Sequence, residues 1–133
     1  MTKQEDYELH RAELQAYFSV HQDKIDVAFG NLAKVITGWM EAQGFWETYD
    51  LPSTSIRLTE VNKGVRLALI HSEISECLEA IRNGDKENEE EELADAVIRI
   101  LDYCGQYKIN LGAALCEKMQ KNLLRPQKHG KAF

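Results

Sequence analysis

Apolar residues along most of this chain recur every three or four positions, the spacing that lines one face of an α-helix. No stretch alternates apolar and polar residues as a half-buried strand would. The pattern predicts a helix over 3–20, with Tyr7, Leu14, Tyr17 and Phe18 as its apolar residues. A second helix is predicted over 23–42, where Ile25, Phe29, Leu32, Val35, Ile36 and Trp39 recur at helical spacing. The residues around His21 permit one continuous helix or a break, in which case 1–22 forms an extra N-terminal helix. A loop over 44–55 carries Phe45, Trp46, Tyr49 and a turn at Pro52-Ser53. Two more helices follow, over 57–82 and 86–107, and Asn83-Gly84-Asp85 between them supplies a helix stop and a new N-cap. The last helix starts at Leu111 and ends before Pro126, because a residue preceding proline is biased out of the helical region. Residues 127–133 read as an irregular tail. The expected fold is all-α: one domain over 1–133, an antiparallel bundle of four core helices plus an N-terminal helical extension.

Two pairs of acids fall on the helices joined by Asn83-Gly84-Asp85: Glu73 with Glu76, and Glu92 with Asp95. Within each pair the i, i+3 spacing puts both side chains on one side of a helix. A hairpin of those helices would bring four carboxylates together, and such a group repels itself unless a cation sits among it. Oxygen-only ligands suit Mg²⁺, or Mn²⁺ in its place, rather than zinc. Solvated acids would lie opposite the apolar stripe, yet on a helical wheel Leu69, Ile70, Cys77 and Ala80 all lie within roughly 60° of Glu73. A carboxylate in that setting needs a partner. Arg66, two turns earlier on the same face, is the candidate for a purely structural ion pair. On the following helix Glu92 stands at the edge of an arc of Leu93, Ala96, Val97, Ile100 and Tyr103, and Asp95, Arg99 and Asp102 continue a polar strip along that edge. The neighbouring Glu89, Glu90 and Glu91 are read as a solvated first turn that favours the positive end of the helix.

Lys118, Asn122 and Arg125 fall within about 60° of one another on the last helix and extend the stripe of Leu111, Ala114 and Leu115. Two cations and an amide in line suit a polyphosphate, whereas cations in a final turn also serve the helix dipole alone. Trp39, Phe45, Trp46 and Tyr49 are candidates for stacking on a base; Trp39 reads as core, and Trp46 reads equally as pocket or packing.

Composition narrows the classes. The net charge of −6 argues against a binder of nucleic-acid polymers, which is normally basic. No stretch approaches the roughly 18 apolar residues of a membrane span, and the opening Met1-Thr2-Lys3-Gln4-Glu5-Asp6 is too polar for a signal peptide. Cys77, Cys104 and Cys116 are odd in number and lack CxxC spacing, so they read as reduced packing residues of a cytoplasmic protein. The absence of a Glu-x-x-His pair disfavours a carboxylate-bridged di-iron bundle.

Glu73/Glu76 followed by Glu92/Asp95 resembles the ExxE–spacer–ExxD signature of the MazG-like all-α nucleoside triphosphate pyrophosphohydrolases. The text around them, Leu69-Ile70-His71-Ser72-Glu73 and Glu91-Glu92-Leu93-Ala94-Asp95-Ala96-Val97-Ile98-Arg99, is similar too. So is the closing pattern of Lys118, Asn122, Arg125-Pro126, His129-Gly130-Lys131 and Phe133. The resemblance runs from about residue 60 to the end and extends more weakly back to about Leu32, and the first 25 or so residues carry none of it. It implies Mg²⁺-dependent hydrolysis of a nucleoside triphosphate between its α and β phosphates. Glu73, Glu76, Glu92 and Asp95 would then be metal-holding catalytic residues, and Lys118, Asn122, Arg125 and Trp46 would be substrate contacts. A nucleotide-sensing or protein-binding helical module without turnover is the alternative. Self-association as a dimer or a dimer of dimers is expected from the resemblance. It is also expected because Leu67, Ile74 and Leu78, with Leu93, Val97, Leu101 and Cys104 on the next helix, widen the apolar faces beyond what one neighbour covers.

Overall fold

A computed structural model describes residues 1–46 and 56–125, with side chains from residue 62 onward in the second stretch. The expected features at Tyr49, Pro52-Ser53, Pro126 and 127–133 lie outside the described residues. Four helices and no strand are found among the described residues: α1 (Lys3–Ala42), α2 (Ile56–Asn83), α3 (Lys86–Gln106) and α4 (Leu111–Leu123). The two helices expected before residue 43 are a single 40-residue helix. The residues read as a possible extra N-terminal helix form the first half of α1. No proline occurs in α1 and its first 27 residues contain no glycine, so nothing near His21 interrupts the helical hydrogen bonds. No helix among the described residues is long and apolar enough to cross a membrane.

The chain divides into two compact units, Leu32–Ile109 and Met1–Asn31 with Asn110–Phe133. In the first, α3 folds back along α2. Gly84 takes φ +69°, which glycine adopts without penalty, and the amide of Asp85 donates to Ala80 O at 2.9 Å. The Asp85 carboxylate then caps α3 by accepting from the Asn88 amide at 3.1 Å. The Cys77 thiol reaches Glu89 O one turn further on, at 3.7 Å. Cys77, Ala80, Ala96, Leu101 and Cys104 are buried in this unit together with Ile36, Met40 and Trp46.

In the other unit the first part of α1 packs on α4. The approach is closest at Gly112, where a Cβ would come within 2.8 Å of Asp26 Cα, so only glycine fits. The Cys116 thiol donates to Gln22 O at 3.6 Å and the Gln120 amide to Gln22 Oε1 at 3.1 Å. All three cysteines are free and buried, as packing residues should be.

Candidate metal centre

Glu73 sits where the helical wheel puts it, inside the apolar face of α2 and only 5% exposed. Across the hairpin, Glu92 and Asp95 lie one turn apart on α3. One oxygen of each of these three carboxylates lies within 4.8 Å of the others. Burial decreases along the set, from Glu73 through Glu92 to the exposed Asp95. Desolvation pushes the Glu92 carboxyl above its ordinary range, with further contributions from a hydrogen bond shared with Glu73 and from the charges of Glu76, Glu73 and Asp95. Three hard oxygen donors crowded to that degree fit a divalent cation such as Mg²⁺ or Mn²⁺. Glu76 stands apart from the tight set. It is exposed and borders, with Glu92, a groove of about 190 Å³ along the hairpin tip.

The partner of Glu73 is not the one expected. Arg99, one turn beyond Asp95 on α3, donates from Nε to Glu73 Oε1. Arg66 lies two turns from Glu73 on the same helix, about 10 Å along its axis, while Arg99 reaches straight across the hairpin. Arg66 is itself buried; its Nη2 donates to Phe45 O at 2.8 Å and its guanidinium lies over the Trp46 ring at 3.7 Å.

A second carboxylate of α3 has a different setting. Asp102, 3% exposed, accepts from Trp46 Nε1 through both oxygens, at 3.0 and 2.9 Å. Burial raises its carboxyl, while the Trp46 hydrogen bond and the charge of Arg66 act in the opposite direction. Trp46 is thus a packing residue: it is 8% exposed, with Arg66 on its face and the edge of Tyr107 at 5.9 Å. Too little of the ring remains open for a base to stack on it. Trp39, expected in the core, is 51% exposed and tilts against the half-open Phe45 at 6.4 Å. It stands roughly 60° or more around α1 from the buried Ile36 and Met40, past the edge that the neighbouring helices cover.

Lys118, Asn122 and Arg125 belong to the other unit. Lys118 is exposed on α4. Asn122 lines a cavity of about 520 Å³ with Tyr7, Tyr17, Phe18 and Met119, and its buried Oδ1 has no hydrogen-bond partner. Arg125 lies beyond the end of α4, which closes at Leu124, so it does not continue the helical stripe. Its carbonyl accepts from the Tyr7 hydroxyl at 3.5 Å.

Residues 64–128 match the family model of the MazG nucleotide pyrophosphohydrolase domain. That span contains all four acids and Lys118, Asn122 and Arg125, and leaves out Trp46. No curated protein and no solved structure matches the chain.

Proposed function

Because residues 64–128 match the MazG nucleotide pyrophosphohydrolase family model, we propose that this chain is a member of that family and hydrolyses nucleoside triphosphates between the α and β phosphates. The products would be a nucleoside monophosphate and pyrophosphate, a reaction suited to clearing unwanted nucleotides. The observation that carries the reading is the convergence of Glu73, Glu92 and Asp95 oxygens within 4.8 Å of one another. These three would hold Mg²⁺, with Mn²⁺ as a substitute, and Glu76 would join them from the rim of the groove. The bound ion would neutralise phosphate oxygens and lower the pKa of an attacking water. Phosphoryl transfer asks mainly for positioning and charge stabilisation, so the carboxylates' chief task is to hold that charge rigidly. Lys118, Asn122 and Arg125 are proposed to bind the phosphates or the adjoining ribose. Lys118→Ala or Arg125→Ala should then lower kcat/KM by the equivalent of about 1.5–3 kcal/mol, the worth of a charge-assisted contact. Helix capping alone would instead lower stability and leave kcat/KM unchanged.

The test is a pyrophosphate-release screen over common and modified triphosphates with Mg²⁺ or Mn²⁺. Turnover of one of them is expected. Nucleotide binding without turnover would favour the sensing or protein-binding module instead.

We also propose a dimer as the basic unit of assembly. Leu67, Ile74, Leu78 and Ile81 of α2 are between 50% and 57% exposed, and Leu93 and Val97 of α3 are 47% and 48% exposed. So continuous an apolar face on one hairpin is unusual for a monomer, and a symmetric pair would bury it. Light scattering coupled to size exclusion should give at least twice 15.2 kDa, and a mass near that of one chain would overturn the assignment.

A further inference from the structure

We propose that Arg99 is a displaceable counter-ion of the acidic cluster, which leaves Glu73 when a divalent cation binds and turns to the triphosphate, so that metal and nucleotide bind cooperatively. The inference rests on the metal-site reading above. Glu73 is buried and its carboxylate is already engaged by the Arg99 guanidinium. Glu92 and Asp95 lie close enough to share one ion with that same carboxylate. A guanidinium and a divalent cation on a single carboxylate would stand only a few ångströms apart, where like charges at a partly dry site repel strongly. One of them must give way.

The exposures indicate which partner moves. The Glu73 side chain is 7% exposed and held in its helix face, whereas that of Arg99 is 29% exposed and reaches solvent. On release, the guanidinium loses its bonded carboxylate. A free metal ion brings no anion in its place, but a metal–triphosphate complex carries phosphate oxygens, which a planar guanidinium binds in bidentate fashion. Loading by the complex is therefore favoured over loading by the bare ion. This is a coupling between two ligands, and it must act equally in both directions.

If Arg99 merely held Glu73 in place, removing it would weaken metal binding; as a competitor, its removal strengthens metal binding. The experiment measures the affinity of the full-length chain and of Arg99→Met for Mn²⁺ alone, and for the preformed complex of Mn²⁺ with inorganic tripolyphosphate. Arg99→Met is expected to bind Mn²⁺ alone roughly 10–100-fold more tightly, the span of one charge-assisted hydrogen bond, and to bind the complex more weakly than wild type. Arg99→Lys, which keeps the charge, should fall between the two on both probes. Because Arg99→Met leaves Glu73 unpaired, its melting temperature should be lower without metal, and the rise on adding Mn²⁺ larger than in wild type. A structural role would lower both melting temperatures alike. Equal or weaker Mn²⁺ binding by Arg99→Met overturns the proposal, and so does unchanged affinity for the complex. Failure of wild type and variant alike to bind Mn²⁺ would instead remove the metal site itself.

Discussion

Helix α3 carries two carboxylate settings two turns apart, and they differ in the ratio of acids to donors. Asp102 has the Trp46 N–H on both its oxygens, the Arg66 charge behind the indole, and no other carboxylate among its hydrogen-bond partners. It is buried, satisfied and structural. At the other setting, Glu92 and Asp95 face Glu73, and among the described residues the cation bonded to the group is Arg99. Three acids there face one guanidinium, and the charges of Glu76, Glu73 and Asp95 add to the desolvation that raises the Glu92 carboxyl. Burial of an acid does not by itself mark a site; an excess of acids over donors does.

The contrast is tested most severely by Glu92→Gln, which keeps volume and removes one negative charge. Turnover should fall by at least about 100-fold, in line with the loss of a key electrostatic contact. Helicity by circular dichroism should stay intact, and the metal-free melting point should be unchanged or higher because a repulsion is relieved. Near-normal pyrophosphate release would erase the distinction between the two settings.

Asp102→Ala should do the reverse. It strands a buried indole N–H and removes a countercharge of Arg66, a loss of about 3 kcal/mol in urea unfolding. Mn²⁺ affinity of the folded protein should change little, since Asp102 bonds to Trp46 and is not among the converging acids. A large drop in Mn²⁺ affinity would mean that the Trp46–Asp102 cluster is part of the metal centre.

The smallest effect concerns pH. The folded Asp102 carboxyl lies above its ordinary 3.8, so the folded state holds that proton more tightly than the unfolded chain does. Its stabilising share is complete below 3.8 and is lost as pH rises through the folded value. Asp102→Asn, which can still accept from Trp46, should therefore gain in stability relative to wild type as pH rises from acid to neutral. Melting curves of both proteins at several pH values measure that difference, and the titration of Glu92 is common to both and cancels. Parallel curves would show that Asp102 titrates alike in the two states.

How much of this was legible in the sequence depended on whether a feature is local. Glu73 on an apolar face and the Gly84-Asp85 stop and cap are properties of single helices, and the structure places them as periodicity predicts, whereas Glu76, one turn from Glu73, is exposed. Reasoning along one helix reaches only Arg66 as a candidate structural partner for Glu73, while Arg99 arrives from the opposite helix of the hairpin. The exposure of Trp39 and the burial of Trp46 escape the sequence for a similar reason. A stripe shows that one side of α1 is apolar but not where its neighbours stop covering it, and the burial of Trp46 depends on Asp102, 56 residues away. The continuity of α1 was left open because no residue near His21 forbids or enforces a break.

The turn at Gly84 limits how this hairpin can vary in length. Gly84 and the Asp85 cap bring α3 in at one rotational setting, with its acids level with Glu73. One residue added ahead of Glu92 swings those acids by about 100° around α3, off the shared face. A whole turn added to α3 alone restores the direction but shifts the acids about 5 Å along the axis relative to Glu73. Only a turn added to each helix keeps both phase and level, so the tip can grow in steps of about seven residues. Spacers of intermediate length would have to absorb the mismatch in the turn itself, where a glycine at positive φ leaves little slack.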